Sequence, residues 1–157
     1  MAEVLFYRLS ASPLEATLPD LLEKSLARGW RALVRAGSPG AVALLDQMLW
    51  TFRDDSFLPH GLADGPQAAR QPVLLTTGRE NLNGAQILLL TLGARADPAE
   101  MAGYARACLI FEEADPTALT HAREDWRAVV AAGLPAKFWA QEGGRWVQKA
   151  TSQPGPG

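Results

Sequence analysis

The chain alternates between short apolar runs and longer segments in which apolar residues recur every three or four positions. The short runs predict five strands: Val4–Leu9, Arg31–Arg35, Val73–Thr77, Ile87–Leu92 and Ala105–Phe111. Several of these runs are apolar at successive positions, which is typical of strands covered on both faces. Two further runs, Ala136–Ala140 and Arg145–Gln148, predict a hairpin that turns over Gly143 and Gly144.

Four helices are predicted between these strands, each starting at a polar residue followed by proline. The polar side chain can cap the first turn, and proline at that place has no amide to leave unpaired. The four dipeptides are Ser12-Pro13, Ser38-Pro39, Asp97-Pro98 and Asp115-Pro116. Glu15 and Glu100 add the third-position carboxylate of a capping box.

The apolar faces of the helices indicate their extents. The first helix carries Leu14, Leu18, Leu21, Leu22 and Leu26, ends at Gly29, and contains Pro19, which predicts a kink or a restart. The second carries Val42, Leu45 and Leu49 and runs to about Trp50; the third is short, near Pro98–Gly103. The fourth carries Leu119, Ala122, Trp126, Val129 and Val130 and ends at Gly133.

This alternation of strands and helices predicts an α/β three-layer sandwich around a mostly parallel, Rossmann-like sheet. The 157 residues fit one domain with a substantial core. We expect that domain to cover residues 1–150, and the polar, Pro/Gly-rich residues 151–157 to form a disordered tail.

Nucleotide and catalytic motifs are absent from the sequence. No Gly-x-Gly-x-x-Gly follows the first strand, and neither a phosphate-binding Gly-Lys-Ser/Thr nor a Gly-x-Ser-x-Gly occurs. His60 and His121 lack metal-ligand spacing, and Asp54, Asp55, His60 and Asp64 are better explained as a solvated acidic loop than as a metal site. We therefore expect no catalytic residue, metal or cofactor.

The net charge and the single cysteine narrow the classes of function that remain. The net charge of −2 does not favour wrapping of nucleic acid, so we expect DNA contact to be mainly indirect, although a local basic patch stays possible. The single cysteine, Cys108, lies in an apolar run and is interpreted as a small buried hydrophobe. The first residues do not resemble a signal peptide and no run could span a bilayer, so a cytoplasmic location is expected.

The segment from Trp50 to Leu62 places three aromatic residues, a Leu-Pro pair and a histidine next to each other. Two interpretations remain open for Trp50, Phe57, Leu58 and Pro59. They could form a hydrophobic patch that binds another protein, because aromatic residues dominate interface anchors, or they could cap the core after the second helix. His60 is interpreted as a hydrogen-bonded loop residue.

A second candidate surface lies on the fourth helix. Arg123 and Arg127 are one turn apart on the border of its apolar face, beside Trp126. Paired guanidinium groups beside an aromatic edge suit a carboxylate attached to an aromatic side chain. The other interpretation is a solvated edge, with Glu124 paired to Arg127 and His121 paired to Asp125.

Both surfaces carry motifs that resemble the chi subunit of bacterial DNA polymerase III. The specific motif is Ser-Phe-Leu-Pro-His at 56–60 with the Leu-Trp at 49–50 before it; the second is Ala-Arg-Glu-x-Trp-Arg at 122–127. Weaker correspondence covers nearly the whole chain. The resemblance implies that Arg123, Trp126 and Arg127 bind the acidic C-terminal tail of single-stranded-DNA-binding protein. It also implies that Trp50, Phe57, Leu58 and Pro59 face a psi subunit or an alternative partner.

The chain departs from the family pattern at one site position. Some members have a basic residue one turn before the arginine, where this chain has Leu119, so tail binding could be weaker or more hydrophobic. Lys137 is a possible substitute. The resemblance implies a non-catalytic adaptor between clamp loader and single-stranded-DNA-binding protein; the alternative is a small α/β nucleotide-binding module or enzyme. Direct single-strand binding on aromatic residues is a third reading.

Overall fold

The computed structural model describes residues 2–10, 13–51 and 58–152, which form an α/β fold around one eight-stranded sheet. The strand order is β3-β4-β2-β5-β6-β1-β7-β8, and every neighbouring pair is parallel except β7 and β8. The strands are β1 (Glu3–Leu9), β2 (Ala32–Arg35), β3 (Gly61–Leu62), β4 (Val73–Thr76), β5 (Ile87–Leu90), β6 (Arg106–Glu112), β7 (Ala136–Glu142) and β8 (Arg145–Ser152). The predicted mostly parallel sheet is confirmed.

Four α-helices connect the parallel strands: α1 (Leu14–Ala27), α2 (Pro39–Thr51), α3 (Pro98–Met101) and α4 (Pro116–Ala131). A short 3-10 helix covers Ala68–Arg70. Three of the predicted caps form, because the Ser38 hydroxyl and the Asp97 and Asp115 carboxylates accept backbone amides of the following turn.

The sheet is buried on both sides, because its central strands β2, β4 and β5 are almost entirely apolar and buried at every position. In β2, Val34 packs with α1 and α2 on one face, while Leu33 packs with Met101 of α3 and Val129 of α4 on the other. The same alternation recurs in β4 and β5, whose residues are all buried. The result is the predicted three-layer sandwich, with a core on each side of the sheet.

The structure corrects several details of the sequence prediction. Strand β3 was not predicted, because two residues give no periodicity to read. Helix α1 is continuous through Pro19, and its N-cap residue is Pro13 without a side-chain cap; Ser12 lies outside the described residues. The Glu100 carboxylate binds Arg35, a partner far from the predicted capping box.

The C-terminal boundary also differs. Strand β8 runs to Ser152 and so includes Thr151 and Ser152, which were assigned to the tail. Residues 153–157 lie outside the described part. Across the described ranges, no helix combines the length and the apolar character that crossing a membrane requires.

Candidate protein-binding surfaces

Helix α4 lies over β6 and β7 and presents two different flanks. One flank carries Ala118, His121 and Asp125 and lines a cleft at the carboxyl ends of β5 and β6. The other carries Arg123 and Arg127, both exposed, and the half-buried Trp126. The structure therefore places these three predicted residues on one side of the helix, away from the cleft.

The acidic residues of α4 turn towards Arg95, in the loop after β5. Arg95 Nη2 lies 2.6 Å from Asp125 Oδ1 and 3.2 Å from Glu124 Oε2. The hydrogen bond that Arg95 donates to the Asp125 carboxylate is the main cause that raises the pKa of Arg95 above its ordinary value. The alternative interpretation paired Glu124 with Arg127 and His121 with Asp125; in the structure Glu124 and Asp125 bind Arg95 instead, and Arg127 is exposed.

This arrangement leaves the two arginines available. Within residues 2–10, 13–51 and 58–152, neither Arg123 nor Arg127 forms a salt bridge with a carboxylate. Two exposed cations one helical turn apart repel each other mildly unless an anion lies near both. The flank is thus electrostatically suited to a carboxylate ligand.

An aromatic cluster lies directly under this flank. The Trp126 ring packs edge-on against Phe6 and Phe138, with centroid distances of 5.4 and 6.0 Å. Phe138 in turn contacts Phe111 at 5.9 Å. Phe6 is fully buried, but the other three rings are half-buried, so part of the cluster faces solvent beside the arginines. Such edge-to-face contacts hold the rings in fixed positions.

Sequence reasoning named Trp126 but missed Phe111 and Phe138, which come from different strands. The signal that could have found them is strand alternation. Phe6 pairs with Phe138 in the β1–β7 register, so both side chains lie on the same face of the sheet. Side chains two positions along either strand lie on that face as well. Only the strand order brings them under α4.

Arg8 lies beside this cluster, whereas Lys137 lies on the other face of the sheet. Lys137 pairs with Leu5, which packs on the α1 side of the sheet, whereas its neighbour Phe138 faces α4. The suggested substitution by Lys137 is therefore wrong. The Arg8 guanidinium carbon lies 6.0 Å from the Phe138 ring centroid, and its nearest carboxylate, on Glu113, is 3.8 Å away.

Apolar residues border the same flank of α4. Leu119 is half-buried one turn before Arg123, and Val130 is 39% exposed one turn after Trp126. Val130 was predicted to face the core but is exposed, whereas Asp125, on the cleft flank, is 9% exposed and paired with Arg95. The flank is therefore both cationic and apolar.

The first candidate surface is partly described. Trp50, at the end of α2, is 56% exposed, and Pro59 is exposed as well. Leu58 is 3% exposed and packs in the core beneath them, so its side chain supports this surface from below. Phe57 lies outside the described residues. Leu44, 54% exposed, adds a further large apolar side chain to the outside of α2.

His60 holds this surface to α2, as the loop interpretation predicts. Its ring nitrogens lie 2.7 Å from the Leu58 carbonyl oxygen and 3.0 Å from Asp46 Oδ1. The Trp50 ring packs on the imidazole at a centroid distance of 4.9 Å. Because the His60 ring is buried and bonded at both nitrogens, it fixes the chain direction at Pro59.

The carboxyl ends of β1, β5 and β6 form the cleft where a nucleotide site would lie in this class of fold. Its volume is about 180 Å³, and its charged lining is mostly acidic: Glu112, Asp115 and Asp125 beside Arg95. Such a lining repels a polyphosphate. Among the described residues, no three His, Cys, Asp or Glu side chains are grouped as metal ligands would be; Asp54 and Asp55 lie outside that part.

Cys108 is 1% exposed in β6, in agreement with its interpretation as a buried hydrophobe. Burial raises the pKa of its thiol to about 12. The thiolate that a nucleophile or a metal ligand requires is therefore disfavoured at this position.

The fold and site define an α/β sandwich that carries two candidate protein-binding surfaces. Comparison with known proteins identifies the family: the chain belongs to the family described as DNA polymerase III chi subunit, HolC, whose match covers residues 1–137. The chain is 31% identical to DNA polymerase III subunit chi of Pseudomonas aeruginosa, over 86% of this chain and 94% of that protein.

A second relative is probable DNA polymerase III subunit chi of Rickettsia prowazekii, 30% identical over 45% of this chain and 42% of that protein. The resemblance read from the sequence motifs is therefore confirmed. Membership of this family associates the chain with DNA replication and with partners inside the polymerase III complex.

Proposed function

We propose that this protein is a non-catalytic accessory subunit that links the clamp loader to single-stranded-DNA-binding protein during replication. In this role it acts in the cytoplasm. The flank of α4 with Arg123, Trp126 and Arg127 binds the acidic C-terminal tail of single-stranded-DNA-binding protein. The surface around Trp50, Phe57 and Pro59, supported by Leu58, binds a psi subunit or another clamp-loader component.

The observation that carries the proposal is the availability of Arg123 and Arg127. Arg95 pairs with Glu124 and Asp125, so the acidic residues of α4 do not neutralise the two arginines. A guanidinium group can bind a terminal carboxylate through two parallel hydrogen bonds. The half-buried Trp126 lies on the same flank as the arginines and packs against Phe138, so its ring offers contact to an aromatic side chain next to that carboxylate.

The chemistry of the site matches an acidic peptide better than a small molecule. The flank is an exposed strip along the helix, and acidic residues before the terminal carboxylate can follow it. Arg8 lies on the same face of the sheet, beside Phe138, and adds a cation for such residues. In this arrangement Leu119 contributes an apolar contact where some family members have a charge.

A subunit with two separate binding surfaces can tether one partner to another. When one face of the subunit is held by the clamp loader, the second binding event becomes intramolecular. Its strength is then set by an effective concentration, in the millimolar range for short flexible connections. A modest tail affinity is sufficient for this purpose. No catalytic group is required.

A calorimetric titration with a synthetic peptide copying the tail tests the proposal. We expect saturable binding, with a loss of about 1.5–3 kcal/mol in Arg123→Ala, as for a hydrogen bond between charged groups. A peptide amidated at its C-terminus should bind much more weakly. The matched control is Arg79→Ala, which removes one exposed arginine from the loop between β4 and β5.

Two results would contradict the site. Equal affinity of Arg123→Ala and the native protein would exclude this flank, and an equal loss in Arg79→Ala would reduce the effect to overall charge. Absence of binding to any tail peptide would leave the family assignment intact and shift the function to the Trp50 surface.

A further inference from the structure

The ends of the sheet opposite the cleft collect arginines from four different segments. Arg31 directly precedes β2, Arg106 opens β6, Arg70 ends the 3-10 helix before β4, and Arg28 follows α1. Because β4, β2, β5 and β6 are consecutive parallel neighbours, their starts lie at one edge. Neighbouring strands are about 4.8 Å apart, so Arg31 and Arg106 are separated by about 10 Å across β5. We call Arg28, Arg31, Arg70 and Arg106 the basic edge.

An indole ring positions two members of the basic edge. The Arg28 guanidinium carbon lies 4.2 Å from the Trp30 ring centroid, and that of Arg106 lies 5.3 Å from it. These are cation–π contacts, which hold the guanidinium groups in place without neutralising them. Trp30 is half-buried, and it packs against the core that lies under α1.

Backbone contacts hold a third member. Arg31 Nη1 donates to the carbonyl oxygens of Ala69 and Asn83, each at 3.1 Å, and keeps its full charge. Gln86 accepts the Arg31 amide at 2.7 Å through its side chain, which fixes the start of β2 beside that of β5. The basic edge is thus built by the fold from residues 28–31, 70 and 106, which are far apart in the sequence.

Little negative charge compensates the basic edge. Arg106 pairs with Glu3 at 3.4 Å. Within the described ranges, Arg28, Arg31 and Arg70 form no salt bridge, and all three are exposed. A local excess of about three positive charges therefore exists in a protein whose net charge is −2. Such an excess attracts an anion in spite of the overall charge.

From this arrangement we propose that the basic edge is a low-affinity binding site for single-stranded nucleic acid. A row of separated guanidinium groups matches a linear polyanion, in which each phosphate meets a different arginine. The flat guanidinium of Arg28, held against an indole, can also stack on an unpaired base. Whereas Arg123 and Arg127 lie one turn apart beside an aromatic cluster, Arg31 and Arg106 lie about 10 Å apart across β5, at the end of the sheet opposite the cleft.

The site does not depend on the tail-binding flank of α4. A weak direct contact with a single strand would add to the tether that the proposed function assigns to the tail. This contact also modifies the expectation that DNA is contacted mainly indirectly.

Fluorescence anisotropy of a labelled short oligothymidine tests the proposal at low salt. For three phosphate contacts on a single strand, the slope of log K against log salt should be about −2. In Arg28→Ala/Arg70→Ala it should approach −0.7, with at least a tenfold loss of affinity at low salt. Arg31 is left intact in this variant because its guanidinium also holds two loops.

The matched control is Arg79→Ala/Arg145→Ala, which removes the same charge from exposed positions away from the basic edge. It should keep more than half of the native affinity. Arg123→Ala/Arg127→Ala should also bind the oligonucleotide normally, so failure here and failure of the tail site can be told apart.

Three outcomes would overturn the proposal: no binding of the native protein at low salt, an equal loss in the control, or equally tight binding of a poly-glutamate peptide that is lost in the same variant. The last result would make the basic edge an acidic-peptide site.

Discussion

Arg95 donates to the Asp125 carboxylate at 2.6 Å and thereby decides the charge of the opposite flank of α4. With Glu124 also within 3.2 Å of the same guanidinium, both acidic residues of the helix are turned away from Arg123 and Arg127. A residue in the loop after β5 thus prepares a binding surface that it does not touch.

Arg95→Ala should weaken tail binding indirectly. Glu124 would lose its partner and could pair with Arg127 at the i, i+3 spacing, an interaction of about 0.2–0.5 kcal/mol. We expect calorimetry to give an affinity for the tail peptide about half that of the native protein, and circular dichroism to show that the variant is folded like the native protein. Restoration by adding Glu124→Gln would confirm the cause. Unchanged affinity in Arg95→Ala would mean that Glu124 does not compete for Arg127.

Trp126→Ala should lower both stability and tail affinity, because the ring packs on Phe6 and Phe138 and also borders the arginines. Since the ring is half-buried, the loss in urea unfolding should be about 2 kcal/mol, below that of a fully buried aromatic residue. Trp126→Phe should retain most of the stability. If Trp126→Phe also retained full tail affinity, the indole would act only as a support.

The buried ion pair between Arg35, at the end of β2, and Glu100 should contribute strongly to the free energy of unfolding. Arg35 is 3% exposed and binds the Glu100 carboxylate, the Gly78 carbonyl at 2.8 Å and the Arg95 carbonyl at 3.4 Å. Glu100→Ala would leave this cation buried without a carboxylate, so we expect a loss of about 3–5 kcal/mol in unfolding free energy.

Glu80→Ala, which removes an exposed carboxylate, is the matched control for Glu100→Ala and should change stability by less than about 0.5 kcal/mol. Arg35→Met/Glu100→Leu should recover much of the loss, because an apolar pair needs no compensating charge. A small effect of Glu100→Ala alone would show that the two carbonyl groups satisfy Arg35 sufficiently.

Alkaline pH should destabilise the native state through Cys108. Burial raises its thiol pKa from 9.0 to about 12, so between these values the unfolded chain loses the proton while the native chain keeps it. The contribution of the Cys108 thiol to the free energy of unfolding is therefore fully present below pH 9 and is lost as the pH rises towards 12. The slope contributed is at most about 1.4 kcal/mol per pH unit. Urea titrations of the native protein and Cys108→Ala from pH 8 to 10 should differ in slope, and equal slopes would contradict this assignment.

On the surface at the end of α2, substitution of Trp50 should mainly lower partner binding, whereas substitution of His60 should mainly lower stability. Trp50→Ala removes a side chain that is 56% exposed, so partner capture should fall while the unfolding free energy changes little. His60→Ala removes bonds to Leu58 and Asp46 and should cost about 1–3 kcal/mol. Pull-down of clamp-loader components with both variants measures the first effect. A Trp50→Ala protein that captures partners normally would remove this surface from the proposed function.

Much of the fold could be predicted because local patterns and tertiary needs agree. The capped helix starts at Ser38, Asp97 and Asp115 follow from side-chain hydrogen bonds within one turn. The two-sided burial of β2 follows from the apolar run Ala32-Leu33-Val34, and Arg35 after it is buried through its pair with Glu100. Strand β3 escaped prediction because its two residues are too short a run to show a period, and their pairing with β4 is a tertiary contact.

The candidate sites were predicted less completely, because some of their residues are brought together only by tertiary contacts. Arg123, Trp126 and Arg127 are neighbours on one helix, so their spacing already places them together. Phe111 and Phe138 join them only through the β6–β1–β7 order of the sheet. The pairing of Asp125 with Arg95, thirty residues away, could not be predicted from the helix, because local spacing indicates only partners within it.

By itself, the sequence determined the α/β class, the positions of most helices and strands and the family, because periodicity, caps and short motifs act over a few residues. Only the tertiary structure decided which charges remain free on α4, which face Lys137 occupies and where Arg28, Arg31, Arg70 and Arg106 meet. These properties depend on strand order and register, which bring residues that are distant in the sequence to one face or one edge of the sheet and which local sequence does not encode.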